Sequence, residues 1–106
     1  MTSDVLLSEY AEDAEMADLL GLFAGRLSEI CRELGRALEA GDAATVRRVG
    51  HQLKGTGGGY GYPDLTEAGR RLEDAVVATG GISDAVLAAA ADVMVLCRRA
   101  RAGMRV

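Results

Sequence analysis

Three observations make this sequence an all-α protein, an antiparallel up-down-up-down four-helix bundle with a short extra N-terminal helix. Apolar residues recur at spacings of three and four along four successive stretches. Glycines or capping residues separate those stretches, and no segment alternates apolar and polar residues with period two over a useful length. Helices of this kind joined by short turns pack as a bundle. The chain has 106 residues, 49% of them hydrophobic, enough for one core and too few for two. We therefore expect a single domain over residues 1–106, without repeats or low-complexity segments.

The first helix is expected over residues 14–40, where Met16, Leu20, Phe23, Leu27, Ile30, Leu34, Ala37 and Leu38 form one stripe. Gly41 can take the left-handed conformation that ends it, and Asp42 can accept orphan N–H groups of the next helix. That second helix is read over residues 43–60, with Val46, Val49, Leu53, Gly57 and Tyr60 on one face. Pro63 suits the first turn of the third helix, because its missing N–H is not needed there. Leu65, Ala68, Leu72, Ala75, Val76 and Thr79 then point inward, and Gly80-Gly81 ends the helix. Ser83 caps a fourth helix with Val86, Leu87, Ala90, Val93, Met94 and Cys97 inward. Residues 4–10 are read as the short additional helix over one end.

Composition and charge exclude several classes. The apolar content argues against disorder, and glycine without a period of three argues against a fibrous protein. The formal net charge of −4 disfavours a nucleic-acid binder, which needs excess Lys and Arg to neutralise phosphates. Residues 1–20 hold six acids and no base, whereas the remainder holds ten acids and twelve bases. Arg98, Arg99 and Arg101 fall where the last turn of a helix favours cations. No run is long enough to span a membrane, and the N-terminus carries Asp4 and Glu9 where a secretory signal carries bases, so a cytoplasmic protein is expected. Cys31 and Cys97 are read as two small buried apolar residues in a reduced compartment, not as a disulfide framework. With one histidine and no paired cysteine spacing, a zinc site is not expected.

The sole imidazole, His51, points roughly 160° away from Val49 and Leu53 at about 100° per residue, which turns it to solvent. Arg47, Arg48, Lys54, Gly55 and Gly58 share its stripe. Such a set suits phosphoryl transfer. A neutral imidazole is a nitrogen nucleophile near neutral pH, and Lys54 can offset charge on a phosphoryl group bound to the ring. Gly55 and Gly58 remove the bulk that would hold a partner's donor atom away. That choice has a physical cost, because glycine in an exposed helix loses about 1 kcal/mol against alanine.

His51-Gln52-Leu53-Lys54-Gly55-Thr56, followed by Tyr60-Gly61, closely resembles the signature of histidine-containing phosphotransfer (HPt) domains of two-component signalling. Gly41-Asp42, Leu65 and Leu72-Glu73 fall where that family has similar residues, so the resemblance covers nearly the whole chain. It implies that His51 is phosphorylated on its outer ring nitrogen, that Lys54 assists, and that Gly55 and Gly58 clear a docking face for a receiver domain. In phosphotransfer domains of chemotaxis-type kinases, a carboxylate at the place of Glu73 bonds the inner nitrogen of the histidine. Such a bond would fix the tautomer and free the outer nitrogen. Glu73 lies about 80° from Leu65 on the third helix, at the flank of the apolar stripe, and a solvated glutamate is the competing reading.

The other features have plainer readings beside functional ones. Arg47 and Arg48 are a docking patch for an acidic receiver pocket or a solvated face, and Arg70 and Arg71 are read the same way. Tyr60 and Tyr62 are assigned to packing, Gly57 and Gly59 to close helix approach. A phosphate-cradling enzyme is rejected: the pattern starting at Gly55 meets Tyr60 where its last glycine should stand, and no Gly-Lys-Ser/Thr follows. The resemblance thus implies a phosphoryl carrier and not an enzyme, with no cofactor on this chain and Mg²⁺ on the partner receiver or kinase. Partners are response-regulator receiver domains or a histidine kinase, with no nucleic acid and no membrane, and a monomer is expected. The alternatives are a receiver-binding module without transfer and the phosphoacceptor domain of a chemotaxis-type kinase. The initiating Met and complete bundle favour a standalone protein.

Overall fold

The computed structural model describes residues 5–103. It contains four helices, α1 (Ala17–Ala40), α2 (Ala43–Thr56), α3 (Pro63–Thr79) and α4 (Asp84–Gly103), and no strand among the described residues. Single 3-10 turns lie at Ala14–Met16 and Gly58–Tyr60. Each helix packs on two others, in the cyclic order α1, α2, α3, α4, which is a four-helix bundle. The helix boundaries follow local chemistry. Gly41 and Gly80 end α1 and α3 in the left-handed conformation, at φ 69° and 70°. The Asp42 carboxylate accepts the Thr45 N–H at 3.1 Å, Pro63 opens α3, and the Ser83 hydroxyl accepts the Val86 N–H at 3.2 Å.

The predicted stripes meet in one core. Leu27, Leu34, Val46, Val49, Leu53, Leu65, Leu72, Val86, Val93 and Cys97 are wholly buried, and burying each larger aliphatic side chain stabilises by about 1.5–3 kcal/mol. Two expected core residues stand outside it. Leu87 is 46% exposed, and Thr79 is exposed at the end of α3, where its hydroxyl donates to the Ala75 carbonyl. Ala75 and Met94 are only partly buried. All four lie at the margins of their stripes, where a small error in helix rotation decides between core and solvent.

Two segments differ from the expectation more substantially. The helix read to residue 60 ends at Thr56; the chain then tightens into the 3-10 turn and reverses at Gly61, φ 83°. The cause is the glycine run, which has little helix propensity, together with Tyr60, whose ring stacks on Phe23 at 4.2 Å with the planes 4° apart. The expected N-terminal helix is also absent from the described part of its range, and Asp4 lies outside the described residues. Residues 5–8 run without helix and residues 9–12 form turns, so the additional helical element is the 3-10 turn at Ala14–Met16. The backbone here bonds elsewhere, which precludes a helix. Leu6 N–H donates to the Arg99 carbonyl (2.8 Å), Glu9 N–H to the Gly61 carbonyl (2.8 Å), and the buried Ser8 hydroxyl to the Tyr60 carbonyl (2.6 Å). The segment is a strap from the end of α4 to the turn between α2 and α3.

The closest helix approach is between α2 and α3. A Cβ placed on Gly50 would lie 2.8 Å from the Gly69 carbonyl oxygen and 2.9 Å from the Glu73 nitrogen, and one on Gly69 would lie 2.7 Å from the Gly50 oxygen. Backbone meets backbone, and neither atom can swing aside. Gly57 repeats the contact two helical turns later, 2.8 Å from the Thr66 nitrogen. Gly50→Ala or Gly69→Ala should therefore cost about 1–3 kcal/mol by overpacking. Gly55→Ala, whose methyl would meet nothing within 4 Å, should gain up to about 1 kcal/mol from helix propensity. Urea unfolding of the three variants checks the contrast.

Candidate functional site

Gly50 sets the site. Because α2 and α3 touch through backbone there, the short side chain of Glu73 on α3 spans the gap to α2. Its Oε2 lies 2.9 Å from His51 Nδ1 and its Oε1 lies 2.7 Å from Lys54 Nζ. One carboxylate thus holds two residues that are three apart on the facing helix and project from one side of it. Glu73 itself is 9% exposed, a buried acid with both oxygens partnered, as a buried charge requires.

The electrostatics fix the proton. The Lys54 ammonium, and after it the His51 ring, hold the Glu73 carboxyl below its ordinary 4.5, against the opposing effect of desolvation. At neutral pH Glu73 is ionised and can only accept, so Nδ1 of His51 carries the hydrogen and donates it. The lone pair of the neutral ring is then on Nε2. The His51 side chain remains 65% exposed, so Glu73 anchors the inner edge of the ring while the outer edge meets solvent.

Arg47 and Arg48 line a shallow groove with Ala44, His51 and Glu73. They differ in engagement: the Arg48 guanidinium donates to Glu33 of α1 at 2.6 Å, which draws it toward the α1 edge. Arg70 and Arg71 pair with Glu67, and Arg70 also with Asp74, so α3 supplies acids to its own cations. Gly55 and Gly58 are exposed. The first has open space where a side chain would go, and the second would make only ordinary contact with Thr66 at 3.4 Å. Neither is glycine because packing inside the chain demands it. Gly57 is, as expected, but Gly59 also has open space and takes no part in a close approach.

His51, Lys54 and Glu73 are thus brought together, with Arg47 and Arg48 beside them and Gly55 and Gly58 further along the exposed α2 edge. Gly50 and Gly69 were not evident from the sequence alone. The usable signal was a pair of glycines inside two amphipathic helices, at positions that an antiparallel register places opposite each other. The groove between α3 and α4, which includes Asp64, Arg71, Asp92 and Arg99, contains none of these site residues. No group of acids, cysteines and histidine able to hold a metal ion occurs among the described residues, and no helix there is long and apolar enough to cross a membrane.

The family model described as Hpt domain matches residues 18–101, most of the chain. No curated protein and no solved structure matches it.

The lowered carboxyl of Glu73 gives the pH dependence a sign. A depressed folded-state value contributes stability that is fully present above the ordinary 4.5 and is lost as the pH falls through the lowered value. The stability difference between wild type and Glu73→Gln should therefore be constant near neutrality and shrink below pH 4.5, as read by unfolding midpoints across the acid range. Imidazole ¹⁵N shifts should show the Nδ1–H tautomer in the wild type and its depletion in Glu73→Ala.

Proposed function

The chain belongs to the Hpt domain family, a family of phosphocarrier modules in two-component signalling, and from that membership we propose that it accepts a phosphoryl group on His51 and exchanges it with the aspartate of a response-regulator receiver domain. The observation that carries this reading is the 2.9 Å contact of His51 Nδ1 with Glu73, which leaves the nucleophilic lone pair on the exposed Nε2. Nε2 attacks phosphorus of the receiver's acyl phosphate, the phosphorus–oxygen bond to the aspartate breaks, and the electron pair returns to that carboxylate. The ring becomes cationic as the new bond forms. Glu73, already hydrogen-bonded to Nδ1–H, stabilises that charge without rearrangement.

Lys54 uses one of its three N–H donors on Glu73 and stands one helical turn from the ring, with 38% of its side chain exposed. Its remaining donors serve the phosphoryl oxygens. Arg47 and Arg48 meet the acidic rim of a receiver pocket, and Gly55 and Gly58 let that surface approach in line. The chain acts as a carrier with no cofactor of its own, and the Mg²⁺ and acidic residues that activate the phosphoryl group are the partner's. It works in this reading as a cytoplasmic monomer, in the single domain of residues 1–106.

Glu73 also favours a second reading. A carboxylate on the inner histidine nitrogen is the arrangement of chemotaxis-type kinase phosphoacceptor domains, in which the donor is a kinase's ATP site. The two readings separate by donor: a phosphorylated receiver in the first, a kinase domain with ATP in the second.

Incubation with labelled phospho-receivers, or with kinase domains and ATP, should place an acid-labile phosphoryl group on the wild type and none on His51→Gln. Label retained by His51→Gln would overturn the assignment. Lys54→Ala should slow transfer by about tenfold, the loss of one charge-assisted contact. Gly55→Trp should weaken receiver binding in titrations while leaving the helical content and unfolding midpoint of the bundle in place.

A further inference from the structure

On the α1–α4 side of the bundle, the two cysteines come together across 66 residues of sequence. Gly35 of α1 faces Met94 of α4, since a Cβ on Gly35 would lie 3.8 Å from the Met94 methyl. In an antiparallel pair, one turn back along α1 brings Cys31 opposite Cys97. Cys31 packs against the buried core cluster to which Cys97 belongs. Both are free thiols, Cys31 half-buried and Cys97 wholly buried in the core. Arg98 and Arg101 add positive potential at Cys31.

We infer that Cys31 and Cys97 form a thiol switch, in which a hydroperoxide oxidises Cys31 and Cys97 resolves it to a reversible disulfide that fastens α1 to α4. The placement suits the two roles. Cys31 has access to solvent and nearby cations, the environment of reactive cysteines. Cys97 can be reached only from within the protein. The neighbouring Cys97 side chain, and after it Arg101 and Arg98, hold the Cys31 thiol down to about 7 against the effect of burial, while its neighbour and burial push Cys97 up. The Cys31 thiolate attacks one peroxide oxygen, the O–O bond breaks, and hydroxide or alkoxide leaves, giving a sulfenic acid. The Cys97 sulfur then attacks the Cys31 sulfur, the S–O bond breaks, and the departing hydroxide takes the Cys97 proton as water. Two thiols lose two electrons and one peroxide gains them. In a reducing compartment such a bond is transient, the form in which cytosolic disulfides serve as sensors. The switch does not depend on phosphotransfer at His51.

The test uses the full chain treated with hydrogen peroxide and analysed under non-reducing conditions. The expected product is a monomer lighter by about 2 Da, with neither cysteine open to alkylation, reverting on addition of dithiothreitol. A proteolytic peptide should link Cys31 to Cys97, and the oxidised chain should melt on the order of 10 °C higher, because a long loop is closed in the unfolded state. Cys97→Ala should stop at a Cys31 sulfenic acid trapped by dimedone, and Cys31→Ser should leave Cys97 unreacted. The inference is overturned if wild type keeps two alkylatable thiols. It is equally overturned if Cys31 proceeds to sulfinic acid beside a free Cys97, or if disulfides form only between chains.

Discussion

The backbone contact between Gly50 and Gly69 is the constraint on which the rest of the site depends. Helices packed through ordinary side chains have axes 8–10 Å apart, a separation that a glutamate must stretch to cross. Two facing glycines remove both layers of side chain at one point. The Glu73 carboxylate then reaches His51 and Lys54 together, at 2.9 and 2.7 Å. The glycines that look unfavourable for an all-helical chain therefore include two that fix the distance between the helices carrying the acid and the imidazole.

The glycines divide by what their surroundings require. Gly50, Gly57 and Gly69 have no room for a methyl group, and Gly41, Gly61 and Gly80 hold left-handed backbone. Gly55 belongs to neither group. It lies four residues after His51, in a helix, with open space around it. The folded chain gains nothing from its lack of a side chain, and in the proposed reading that open space serves the docking partner.

How far the sequence revealed this structure depended on how local the cause was. Helix starts and stops were legible because Gly41, Asp42, Pro63, Gly80 and Ser83 act within a few residues of themselves. The His51 stripe was legible because helical periodicity fixes direction. Glu73 was legible as a candidate through the family resemblance and its place on the stripe's flank; its contact with Lys54 was not, since it depends on the register between α2 and α3. The end of α2 was misjudged because apolar spacing continues through Gly57 and Tyr60 although the backbone tightens after Thr56. The strap over residues 5–12 was missed because its partners, Arg99 and Gly61, are remote in sequence.

The turn from Gly57 to Gly61 has the composition of a flexible linker, yet it is held on several sides. Tyr60 stacks on Phe23, its carbonyl accepts the Ser8 hydroxyl, and the Gly61 carbonyl accepts the Glu9 N–H. Glycine here provides a low surface without a loose one. On the proposed reading, a partner seating beside His51 would meet an edge whose conformational entropy was already lost when the bundle folded, so little further ordering would oppose association. In that reading the chain binds and releases partners in turn, and such a surface would allow recognition through few contacts.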